Sequence, residues 1–168
     1  MTCLDKDEVR QWLSTAGQIE DPHSGPVAPT FALQVYAPQT YAAIECFLRC
    51  FIQDLATGSH LLLVAIDCEP SEESQRFVHE TIRRSTGEQR SVGDAPGYRA
   101  DDNESEKLVA LFSLMSCFGW KCYLYADRDQ VVLYNWEGEI FDFWTSSKAK
   151  HGAFMEMVKT FGLKEIEA

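Results

Sequence analysis

Apolar residues recur along this chain in three patterns, and the changes from one to another mark its elements. From Trp120 to Thr145 the pattern is strand-like: WKCYLYAD, QVVLYNW and EIFDFWT, separated by Arg128-Asp129 and Glu137-Gly138. Three such runs joined by short turns predict an antiparallel meander. With two-residue turns, Tyr125 faces Val132, which faces Phe143, and Tyr123 faces Tyr134, which faces Phe141. That register gathers Tyr123, Tyr125, Val132, Tyr134, Trp136, Phe141 and Phe143 on one face. Cys122, Leu124, Val131, Leu133, Ile140 and Trp144 fall on the other, with Asn135 and Asp142 among them. Neither face is polar. Helices covering one face and part of the other account for this, and any large apolar remainder marks an interaction site.

A second pattern has the helical period. It predicts helices over Asp5–Ala16, Gln39–Ala56, Ser71–Ser85, from Asp102 through Phe118, and from Ser146 or Ser147 to Phe161. Asp5 with Glu8 three residues on has the form of a capping box. The third pattern is a continuous apolar run, HLLLVAID, which fits a strand buried on both faces. The shorter FALQVYA, Phe31–Ala37, lies between prolines. Strand, long helix and strand make a crossover unit, so these two strands are expected to lie parallel. Together the patterns predict one α+β domain over residues 1–168, with about five helices packed on a mixed sheet of about five strands. Residues 86–103, TGEQRSVGDAPGYRADDN, read as a long mobile loop, with Tyr98 as its anchor if it is ordered.

Composition narrows the function. A net charge of −11 argues against nucleic-acid binding, which needs a basic face, and suits a basic protein partner. No apolar run reaches the length of a membrane span. The acidic, polar start of the chain is unlike a secretory leader, so a reducing cytoplasm and free thiols are expected for the six cysteines. Cys46 and Cys50 stand one helical turn apart without further converging ligands, and the four histidines lack metal spacing. No metal and no cofactor are therefore assigned. Phosphate-loop, dinucleotide and hydrolase motifs are also missing.

Two candidate sites remain. Arg76, His79 and Arg83 share a helical stripe, and the loop that follows carries Arg90 and Arg99. In an acidic chain this cluster is a candidate anion or carboxylate site, with the loop and Tyr98 as its lid. Asp67 lies at the carboxyl end of the buried strand, a common ligand position in open sheets. Two functions follow. One is a non-enzymatic protein-binding domain, an acidic inhibitor or immunity-type protein. The other is a small-ligand-binding protein or enzyme with an anion site between Asp67 and the Arg90–Arg99 loop.

Overall fold

Asp5 opens the first helix as its side chain requires. Its carboxylate accepts from the N–H groups of Asp7 and Glu8, and the Glu8 carboxylate accepts from the Asp5 N–H, completing the capping box. In the computed structural model, which describes residues 1–23, 29–66, 72–100 and 104–166, that helix is α1, Lys6–Thr15, preceded by β1, Thr2–Leu4. The chain continues through β2 (Phe31–Tyr36), α2 (Tyr41–Leu55), β3 (Leu61–Ile66), α3 (Glu73–Ser85), β4 (Gly97–Ala100) and α4 (Ser105–Cys117). It ends in β5 (Lys121–Ala126), β6 (Val132–Trp136), β7 (Ile140–Thr145) and α5 (Lys148–Thr160). Thr40 caps α2 and Ser147 caps α5, each through its side-chain oxygen.

Among the described residues, the strands form one seven-stranded sheet in the order β1-β4-β3-β5-β6-β7-β2. Every pairing is antiparallel. The α+β class and single domain hold, but the expected mixed sheet is corrected to an antiparallel one. β2 and β3 do run in the same direction, yet β7, β6 and β5 lie between them. A crossover as long as α2 can pass over three strands, so adjacency does not follow from it. The strands missed from sequence are β1 and β4, which have three and four residues and give too little alternation to register.

β4 also corrects part of the loop assigned to residues 86–103. Tyr98 and Ala100 point into the core, and Gly97 lies where a Cβ would come within 2.5 Å of Val9. The glycine that reads as a turn former in sequence is there for close approach to α1.

One face of the sheet carries Leu61, Leu63, Tyr98, Cys122, Leu124, Leu133, Phe141 and Phe143 under α2, α4 and α5. Phe143 stacks on Phe154 of α5 with ring centres 4.1 Å apart. The opposite face carries Leu62, Tyr123, Tyr125, Val132, Tyr134 and Trp144. α1 covers part of it with Val9 and Leu13. The segment after α1 is tied down by Gln18 donating to the Ala126 carbonyl at 2.5 Å and Tyr125 donating to the Glu20 carbonyl at 2.6 Å. At the outer edge, Tyr36 N–H donates to the Lys164 carbonyl and Ile166 N–H to the Gln34 carbonyl, so the chain's last described residues border β2.

The first hairpin has the predicted register: Tyr125 pairs with Val132 and Tyr123 with Tyr134. The second is corrected by one residue. Val132 pairs with Trp144, Tyr134 with Asp142 and Trp136 with Ile140. Glu137 and Gly138 take positive φ of 54° and 78°, and Glu139 N–H bonds to the Trp136 carbonyl at 3.0 Å, so the two-residue turn does form. Glu139 then follows as one extra residue, its carbonyl accepting from Ala37 N–H at 2.8 Å rather than from β6. Each β7 side chain therefore moves to the face opposite the one predicted. Phe141 and Phe143 enter the helix-covered core, and Asp142 and Trp144 join the tyrosines.

Candidate functional site

The predicted basic cluster is brought together in part. Arg76, His79, Arg83 and Arg90 line a cavity of about 360 Å³ with Glu80, Arg84 and Glu88. Its centre is Arg83, only 2 % exposed. One guanidinium nitrogen donates to the Ala95 carbonyl at 2.9 Å and to the Tyr98 hydroxyl at 2.6 Å. The other donates to the carbonyls of Arg90 and Ser91, both at 3.0 Å. Arg83 can only donate, so the Tyr98 oxygen accepts from it and has its own proton left for Nε2 of His79, 2.8 Å away. Burial, and then the Arg83 charge, lower the His79 pKa to about 4, so His79 is neutral at physiological pH.

This arrangement clamps a loop. Arg83 ties down the backbone from Arg90 to Ala95, and Arg90 bonds to the Cys3 carbonyl and to both Glu88 oxygens. The Arg90 pairing holds the Glu88 carboxyl down at about 2. Arg84 is paired with Glu80 at 3.0 Å. Among the described residues, Arg76 is the lining cation with no partner. Arg99 does not join the cluster. It follows Tyr98 on β4, so strand alternation sends it to the opposite face. Asp67 lies outside the described residues.

A second constellation lies on the other face, around β6 and β7. Asp142 is 4 % exposed. Gln34 on β2 donates to its Oδ1 at 2.6 Å. His23 Nε2 lies 3.1 Å from Oδ2, and no aligned hydrogen bond reaches that oxygen among the described residues. Burial pushes the Asp142 carboxyl up, against the opposing pull of Gln34 and His23. The His23 ring stands close to perpendicular to Trp144, Tyr134 and Trp136, with ring centres 4.7, 5.2 and 6.3 Å away. Trp136 also carries the Lys121 ammonium over its ring at 5.1 Å.

Register explains the mixture of residues. The pairings β2–β7 and β6–β7 place Gln34, Asp142 and Tyr134 in one cross-strand row, continued by Tyr123. The neighbouring row is Tyr36, Ile140 and Trp136. The first row is covered by residues 20–23, where Tyr123 donates to Asp21 at 2.9 Å. The second is open, with Tyr36 51 % and Trp136 43 % exposed. The sequence pattern placed Tyr123, Tyr134 and Trp136 on this face, but set Ile140, Asp142 and Trp144 on the other and gave no part to Tyr36 or His23. The signal available was an acidic residue inside an apolar strand, FDFW, which a soluble sheet does not bury without a reason.

Among the described residues, no group of three or more His, Cys, Asp or Glu side chains converges to hold a metal. No described helix is long and apolar enough to cross a membrane. Comparison of the chain with known protein families, with curated proteins and with solved structures returned no match.

Proposed function

We propose that this protein is a non-enzymatic binding module that engages a basic protein through the aromatic, acidic face formed by β2, β7 and β6. The observation that carries the reading is the open row Tyr36–Ile140–Trp136 beside a buried carboxylate, Asp142. Half-exposed tyrosine and tryptophan are the side chains that anchor interfaces. Glu137, paired with Lys121 at 3.2 Å, and Glu139 follow Trp136, and a net charge of −11 would speed encounter with a cationic partner. Cys3, Cys46, Cys50 and Cys117 are free thiols, in keeping with the cytoplasmic setting this reading takes.

The alternative, an anion site at α3, is less well supported. Its central arginine uses its terminal nitrogens within the fold, and Arg84 and Arg90 already have carboxylate partners.

The test is capture from source cells with three baits: the wild type, a Tyr36→Ser/Trp136→Ser double variant, and Glu106→Gln on the helical side as control. A basic protein held by the wild type and the control but lost with the double variant is expected. Equal capture by all three overturns the reading. So does a dimer in sedimentation that the double variant breaks, because the face would then belong to a second copy.

A further inference from the structure

We infer that His23 occupies the seat of a lysine side chain, and that the box of Tyr134, Trp136 and Trp144 over Asp142 receives the ammonium group of the basic partner once His23 swings out. This rests on the reading above and names the chemistry of recognition.

Four observations carry it. The Asp142 carboxylate is 4 % exposed, and among the described residues its Oδ2 has only the His23 ring nitrogen near it, at 3.1 Å and without an aligned hydrogen bond. A buried oxygen in that state wants a donor. Second, Trp144 and Tyr134 stand 4.7 and 5.2 Å from the imidazole now in place, and Trp136, which carries Lys121, stands 6.3 Å away. Aromatic faces attract ammonium groups most strongly where water is excluded. Third, His23 separates two cavities. One, of about 400 Å³, is lined by Gln34, Asp142 and Trp144. The other, of about 360 Å³, is lined by Asp21, Tyr134, Trp136 and Lys121, whose ammonium lies over Trp136 and is paired with Glu137 at 3.2 Å. His23 is the residue common to both, so withdrawing its ring joins them around Asp142. Fourth, the segment stays anchored without His23. Glu20 and Asp21 are held by Tyr125 and Tyr123, while the His23 side chain is 38 % exposed.

The hydrogen-bond inventory selects among cations. Gln34 already donates to Oδ1 at 2.6 Å, so a group that binds both oxygens must share Oδ1 with it, while Oδ2 is open to a single donor. A guanidinium binds best as a fork on both oxygens, whereas an ammonium needs only one. A quaternary ammonium has no N–H to offer Oδ2. Lysine meets both conditions.

The test uses the full chain at low salt with three probes: a blocked Gly-Gly-Lys-Gly-Gly peptide, its arginine counterpart, and n-butylammonium. Side-chain NMR of His23, Trp136 and Trp144 reports occupancy. The lysine peptide is expected to displace the His23 ring and shift both indoles. His23→Ala should tighten its binding about tenfold, because the competing group is gone. Asp142→Asn should weaken it roughly tenfold or more. Trp136→Leu, at a half-exposed position, repeats the loss should the Asn variant fold poorly. The inference is overturned if His23→Ala and Asp142→Asn leave lysine-peptide binding unchanged. It is also overturned if the arginine peptide binds tighter, or if butylammonium binds and the lysine peptide does not. A partner whose capture needs Tyr36 and Trp136 but ignores both His23→Ala and Asp142→Asn would overturn the lysine seat while leaving the binding face intact.

Discussion

His79 makes the stability of this protein depend on pH in a calculable way. Its pKa falls from 6.5 to about 4 on folding, so between those values the unfolded chain binds a proton that the folded chain refuses. Stability is therefore greatest above pH 6.5 and declines as pH falls toward 4. The full shift corresponds to about 3 kcal/mol, and at pH 5 about 2 kcal/mol of it is already lost relative to neutral pH. This is a large share of the roughly 5–15 kcal/mol that holds a domain folded. Urea titrations at pH 5 and pH 7, on the wild type and on His79→Gln, isolate the effect. Glutamine can still accept from Tyr98, and every other titrating group is common to both proteins, so they cancel in the difference. The wild type should lose about 2 kcal/mol more than the variant between the two pH values. NMR of the ring should find His79 neutral at pH 5. Equal losses, or a ring that titrates near 6.5, would refute the claim that burial and Arg83 keep this histidine uncharged.

Three further outcomes follow from packing and charge. Phe154→Ala removes a fully buried ring stacked on Phe143 and should cost about 3–5 kcal/mol in urea unfolding. Gly138→Ala places a Cβ 2.1 Å from the Ser116 carbonyl oxygen at a φ of 78°. It should destabilise by more than the roughly 1 kcal/mol scale of tolerated glycine changes, with a lowered Tm by calorimetry. Asp142→Asn should leave the fold intact and gain stability relative to the wild type as pH rises from 4 to 7. Burial raises the Asp142 pKa, so ionising it costs the folded state free energy that a neutral amide does not; denaturant midpoints across that range check the direction.

Long periodic segments were legible in the sequence. α2 lies within the predicted span because its apolar stripe runs for four turns, and α1 because Asp5 and Glu8 announce its start. What escaped was set by single residues or by distant packing. β4 depends on Gly97 meeting Val9, a contact between residues 88 positions apart. The sheet order depends on where α2 delivers β3, which no local pattern encodes. The site suffered most. One extra residue, Glu139, decides whether Asp142 or Phe141 stands beside Tyr134, and Glu-Gly reads the same with or without it. Arg83 and His79 were found as a cluster, yet their role turned on hydrogen bonds to backbone carbonyls that carry no side-chain signature.

The residues bordering β2 bear on how this sheet could be kept from pairing with other chains. A sheet closed at neither end presents two rows of unpaired backbone groups, each a template for another chain. At the β1 end, a strand of three residues offers little to copy. At the β2 end, Lys164 and Ile166 already take the groups offered by Tyr36 and Gln34. Stripping away the stretch after Gly162 would free that border beside a half-exposed tyrosine. The face proposed to meet a partner would then adjoin an open strand, a template for self-association.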